Sequence, residues 1–183
     1  MIRLFKLVFI IVILSAAYFS YKTHVESSIP WRPVTTQQKI QINFPDAPVH
    51  TQKIRDFPII GQSSLHIYQH QTDKELFAYI ELATRKNSLK IFTLQQLEAA
   101  VLAMNGTDDL KITNKHYFKN NSQPIVDYVA HDTKGNLIYC RTYKLDDHLV
   151  SLIYASSTEQ FDKKRHKQFF NSLQLYKPGS ETY

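Results

Sequence analysis

This chain has little cysteine, little glycine and no recognisable catalytic signature. Of its 183 residues, one is cysteine and four are glycine. A single thiol, Cys140, excludes an intramolecular disulfide, a cysteine-rich zinc site and a CxxC redox pair. It also sits far downstream of the N-terminal apolar run, so that run is followed by no cysteine for lipid attachment. Scarce glycine argues against phosphate-cradling loops and flexible linkers. No P-loop, dinucleotide fingerprint or GxSxG elbow occurs. The acidic turn Asp146-Asp147 lacks the spaced oxygen ligands of a calcium loop and reads as a hairpin tip. No internal repeat or low-complexity tract appears.

Net charge is a further limit. The formal charge is +6, but Arg3 and Lys6 precede the first apolar run, and without them 20 basic residues face 16 acidic ones. That is a mildly basic domain and not a nucleic-acid footprint. Hydrophobic content of 43% with eleven Phe and eleven Tyr is enough for one ordinary core.

The first apolar run is Leu7–Leu14, extended through Tyr21. Two readings compete. Its basic start, short apolar centre and small residues Ser15 and Ala17 suit a cleaved signal peptide. Leu4–Tyr21 is also long enough to span a bilayer marginally, with Lys6 snorkelling and Tyr18, Phe19 and Tyr21 at the far interface. The anchor is favoured. Either way the positive-inside rule puts everything after Lys22 outside the cytoplasm. Residues 1–21 are thus a signal anchor or signal peptide, and the expected location is the inner membrane with the domain in the periplasm.

Residues 22–38 read as an extracytoplasmic tether. Pro30 and Pro33 bracket Trp31-Arg32 and favour extended backbone. Trp31 is expected to dock on the domain, with the membrane interface as the alternative.

The domain, residues 39–176, follows as alternating runs: Lys39–Phe44, Val49–Ile54, Ser63–Gln71 and Glu75–Ala83. A helical period then appears at Leu94, Leu97, Val101 and Met104. Thr93 and Gln96 form a capping box, and Asn105-Gly106 supplies the stop. Leu110–Lys119 is a weaker strand. Ile125–His131, Leu137–Leu145 and His148–Ser156 form an antiparallel meander closed by an amphipathic helix, Thr158–Leu173. The fold class is α+β: about seven antiparallel strands covered by helices. Residues 177–183 are a tail.

Eight histidines invite a metal reading. His66 and His70 share a strand face with Tyr68, expected to be solvated. Four residues of strand separate them by ~13 Å, too far for one ion. His116, His131 and His148 fall near strand ends. Asp132 and Asp147 adjoin two of them, but neighbours in a strand face opposite ways, which disfavours an acid/base pair. The same argument separates Cys140 from Arg141, leaving an inert thiol. The basic run Lys163–Lys167 reads as the solvated face of a helix, with an anionic membrane or acidic partner as the alternative. The sequons at Asn105 and Asn120 matter only in a eukaryotic secretory pathway. No catalytic residue, cofactor or metal is therefore expected.

Two stretches carry a family resemblance. One is the opening strand Ile40-Gln41-Ile42-Asn43-Phe44-Pro45-Asp46-Ala47-Pro48. The other is Arg141-Thr142-Tyr143, Leu149–Tyr154, Phe161 and Phe169-Phe170-Asn171-Ser172-Leu173. Over about residues 39–175 the chain resembles PsbP-like domains of the exported bacterial type. The resemblance implies an α/β/α sandwich and, for function, a mostly non-catalytic role: assembly of membrane complexes, small-GTPase binding or chaperoning of exported segments. No family binding residue maps onto this sequence. The expected function is a membrane-tethered binding or assembly module with an unknown protein partner outside the cytoplasm. A small-ligand carrier with an aromatic-lined pocket between sheet and helix is the alternative, and a cryptic hydrolase the third.

Overall fold

The computed structural model describes residues 30–84, 89–106, 110–120, 122–145 and 147–175. The expected signal anchor and the tail lie outside the described residues. Among the described residues no helix is long and apolar enough to cross a membrane.

Nine strands form. β1 (Arg32–Thr35) and β2 (Gln41–Phe44) make a small hairpin. β3 (Val49–Phe57), β4 (Gly61–Gln71) and β5 (Glu75–Ala83) begin the main sheet. Helix α1 (Glu98–Met104) then carries the chain to the far edge, where β6 (Lys111–Asn120) starts the meander. β7 (Gln123–His131), β8 (Leu137–Lys144) and β9 (His148–Ser156) walk back, so that β9 lies beside β5. The order is β3-β4-β5-β9-β8-β7-β6, antiparallel throughout. Helix α2 (Lys163–Asn171) closes the domain.

Short polar turns fix the registers. The Thr72 hydroxyl accepts the amides of Lys74 (3.2 Å) and Glu75 (3.1 Å) between β4 and β5. Asp132 Oδ1 accepts those of Lys134 and Asn136, both at 2.8 Å, between β7 and β8. Gly135 sits there at φ +81°, a conformation that favours glycine.

Each sheet face is covered. On one, Leu94, Leu97, Val101 and Met104 pack on Leu65, Ile80, Leu82, Val126 and Ile153. The capping box forms as expected: the Thr93 amide donates to Gln96 Oε1 (2.7 Å) and the Gln96 amide to Thr93 Oγ1 (3.2 Å). On the other face, Phe169 and Phe170 of α2 with Ile42 and Phe44 of β2 bury Phe77, Tyr79, Leu152 and Tyr154.

Two boundaries differ from expectation. Residues 32–35, placed in the tether by sequence, pair with β2; Trp31 docks on the domain as expected, edge-on against Phe77 at 5.4 Å. After α2, Gln174 bridges back to Gln41, tying the C-terminal end to the same hairpin. The closing helix is also broken. Residues Thr158–Gln160 form a 3-10 turn, Phe161 and Asp162 are extended, and α2 starts afresh at Lys163. Asp162 causes the restart, its Oδ1 accepting the amides of Lys164 (2.8 Å) and Arg165 (3.0 Å). The break lets Phe161 lie against Tyr139 and Tyr154.

Asp162→Ala is expected to destabilise the domain by about 1 kcal/mol, the usual value of an N-cap. Urea denaturation measures it. No change in midpoint would mean that packing alone sets where α2 begins.

Candidate functional site

Antiparallel register arranges the face under α2 into rows that cross the sheet. One row runs His116, Asp127, Arg141, Leu152, Tyr79, Tyr68, His50 from β6 to β3. Beside it, Phe118, Ile125, Tyr143, Val150, Glu81, His66 and Gln52 form a second. Residues as far apart in sequence as His50 and Leu152 thereby share one row. α2 and the β1–β2 hairpin cover the middle of these rows, while the end on β6–β8 stays partly open.

That open end is a groove of about 580 Å³. Its floor is His116, Asp127, Tyr139 and Arg141 of the sheet, and its wall is Lys163, His166, Lys167 and Phe170 of α2. Arg141 is held from several sides. Its Nε and Nη2 donate to the two carboxylate oxygens of Asp127, each at 2.7 Å. The guanidinium also lies 5.7 Å from the centres of both Phe118 and Phe170. Hydrogen bonding to Asp127 raises its pKa further, so the charge is permanent. His166 is enclosed by Tyr139, Tyr154, Phe161 and Phe170. Burial first, and then the Arg141 charge, lowers its pKa and keeps the imidazole neutral.

The basic run divides between roles. Lys163, Lys164 and Lys167 are exposed, as expected of a solvated face. Arg165 is not: its Nε meets Glu75 Oε2 at 2.9 Å and its guanidinium covers Phe77 (5.2 Å) and Trp31 (5.7 Å). Glu75 also accepts the Tyr154 hydroxyl at 2.7 Å.

His66 and His70 do not converge, and the face they share with Tyr68 is not solvated. His66 is 5% and Tyr68 7% exposed. His66 instead meets His50 across the strands (Nδ1 to Nε2, 3.4 Å), and the His50 ring stacks on Tyr68 at 4.3 Å. The partner came from β3, whose pairing fixed it. Among the described residues no group of three or more His, Cys, Asp or Glu is placed to hold a metal.

Asp147 and His148 do pair, at 2.6 Å, against the expectation from strand alternation. Asp147 lies in a bend, where alternation does not apply. Among the described residues no serine or cysteine hydrogen-bonds the His148 ring. Asp132 is occupied by its own turn, Asn136 Nδ2 donating to Oδ2 at 2.7 Å. Cys140 points to the α1 side, away from Arg141. Burial pushes its thiol up to about 12, and Asn105 Nδ2 reaches its sulfur at 3.3 Å. Asn105, a helix stop and sequon in the sequence, is thus a buried amide linking α1 to Tyr128, Cys140 and Thr142.

Sequence reasoning missed one group altogether. Glu81 has no exposed surface, accepts the Tyr79 hydroxyl at Oε2 (3.0 Å), and leaves Oε1 without a partner among the described residues. Burial raises its pKa, against lowering contacts from Tyr79, His148 and Thr36. The signal was available: a carboxylate in register with Phe77 and Tyr79 in the most apolar strand. Glu81 is thus sealed from solvent beneath the sheet face.

No family model matches the chain, and no curated protein matches it. Among solved structures it is similar to cyanobacterial PsbP from Synechocystis sp. PCC 6803, at 8% identity and a TM-score of 0.55, covering 81% of this chain and 94% of that one. It is also similar to a candidate regulator from Pseudomonas aeruginosa, at 11% identity and a TM-score of 0.44, covering 80% and 98%. The fold is PsbP-like, as the two sequence stretches implied.

Two opposed titrations should shape stability. Glu81, its pKa raised above 4.5, contributes stability that is complete below the ordinary glutamate range and lost as pH rises through its folded value. His66 and His166, lowered below 6.5, contribute stability complete above the ordinary histidine range and lost as pH falls through theirs. Glu81→Gln should therefore flatten the fall in melting temperature that sets in as pH rises above the ordinary glutamate range, leaving the acid side unchanged. Parallel profiles for the two proteins would contradict this.

Proposed function

We propose that this chain is an exported binding module, tethered outside the cytoplasmic membrane by residues 1–21, that acts without catalysing a reaction. The groove between α2 and β6–β8 is its recognition surface. The observation that carries this reading is how the groove's functional groups are held. Asp127 is closed off by Arg141 through two hydrogen bonds, and His166 is ringed by Tyr139, Tyr154, Phe161 and Phe170. Groups held in this way orient and attract a ligand, whereas acid/base work needs a carboxylate or imidazole free to exchange a proton. Trp31 supports the tethered geometry, because the segment leaving the expected anchor is seated on the domain beside α2.

A protein partner is the first reading of what is recognised, in keeping with an assembly role. A small-ligand carrier is the second, favoured by one feature: the groove lies between sheet and helix and has Tyr139 and Phe170 among its walls.

Cell fractionation and proximity labelling test the proposal together. The full-length chain should sediment with membranes, retain its N-terminus and be digested by protease added outside the cytoplasmic membrane. A ligase fused to its C-terminus should mark the same protein neighbours repeatedly. A soluble species beginning near Tyr18 would overturn the anchor, and reproducible absence of protein neighbours would overturn assembly in favour of carriage.

A further inference from the structure

The groove has an uncompensated charge and a set of flat faces, and together they specify a chemical class. Among the described residues Asp127 is the one carboxylate lining it, and Arg141 occupies both of its oxygens. Lys163 and Lys167 project over the same space from successive turns of α2, and neither has a carboxylate within ion-pair distance among the described residues. The groove therefore carries two ammonium charges that no carboxylate among the described residues answers. An anion entering it replaces their hydration with a direct ion pair, in a concavity where screening is weaker than on an open surface.

The flat groups set what accompanies the charge. His116 is exposed, lines the groove and stacks on Phe118 at 5.4 Å with 21° between rings. Tyr139 is a second ring on the floor, and Phe170 closes the inner end over the Arg141 guanidinium. Planar faces at these positions prefer a planar body by stacking and edge contacts. A saturated chain would gain only the area term.

We propose that the groove binds a small planar aromatic acid, its carboxylate held by Lys163 and Lys167 and its ring lodged among His116, Tyr139 and Phe170. The assignment rests on the reading of this groove as the recognition surface, and it deepens the carrier form of that reading. Acidic protein segments are the competing occupant, and the test below separates them from the class named.

The probe is 2-naphthoate, added to the full-length isotope-labelled chain in a nonionic detergent and followed by amide chemical shifts. Neutral 2-naphthamide, inorganic phosphate and an acidic hexapeptide without aromatics run in parallel. Naphthoate should bind saturably, with shifts at Asn114, His116, Tyr139, Arg141 and along α2, and at least tenfold more tightly than naphthamide or phosphate. The double variant K163E/K167E should weaken it at least tenfold, while K164E, one position off the groove, should change it less than twofold. Naphthamide equal to naphthoate, phosphate equal to naphthoate, or K164E as damaging as the double variant would each overturn the proposal. A hexapeptide that binds more tightly than naphthoate would also overturn it, in favour of a protein ligand. Because the readout is binding by purified protein, its failure leaves the membrane and proximity results standing, and theirs leaves this one standing.

Discussion

Phe169 is the residue on which the second face of this domain depends. Its ring meets Phe77 of the central strand β5 at 5.3 Å and Phe44 of β2 at 5.5 Å, and it approaches Trp31 at 6.4 Å. Three separate parts of the chain therefore converge on one side chain of α2. Replacing such a ring by alanine typically costs about 3–5 kcal/mol in a core. α2 itself is only nine residues and has an unfavourable sequence for an isolated helix, with four basic side chains and one histidine. It exists because the sheet holds Phe169 and Phe170, and because Asp162 fixes its start.

The groove follows from that seating. α2 comes to rest over β5 and β9 and overhangs β8, so its Lys163 and Lys167 edge faces the open end of the cross-sheet rows. Arg141 sits where helix and sheet meet, clamped by Asp127 and flanked by Phe118 and Phe170. A half-buried ion pair of this kind adds little net stability once desolvation is counted, but it fixes orientation. Its effect is to close off the groove's carboxylate and leave the lysines to set the sign of the charge.

Much of the scaffold was legible in the sequence. Glu75–Ala83 and His148–Ser156 form strands with the expected bounds, because their alternation and flanking turns agree. The Thr93–Gln96 capping box was readable for the same reason: its chemistry is local. What escaped was set by register. His50 and His66 are sixteen residues apart, and Asp127 and Arg141 fourteen, and only strand pairing makes them partners. Glu81 was passed over because a hydrophobic run hid one carboxylate, and Arg165 because a basic run concealed the one cation that lies on aromatics. The break at Asp162 was hidden by Phe161, which stands at a helical spacing from Phe169.

The central claim is that one aromatic contact carries α2, the β1–β2 hairpin and therefore the groove, while the α1 side of the sheet stands apart from it. Amide hydrogen exchange on Phe169→Ala tests this most directly. Protection should fall together in α2, β1 and β2, and persist in α1 and in the β4, β5 and β9 centre of the sheet. Equal loss throughout the domain, or α2 exchanging fast while β1 and β2 stay protected, would contradict the account.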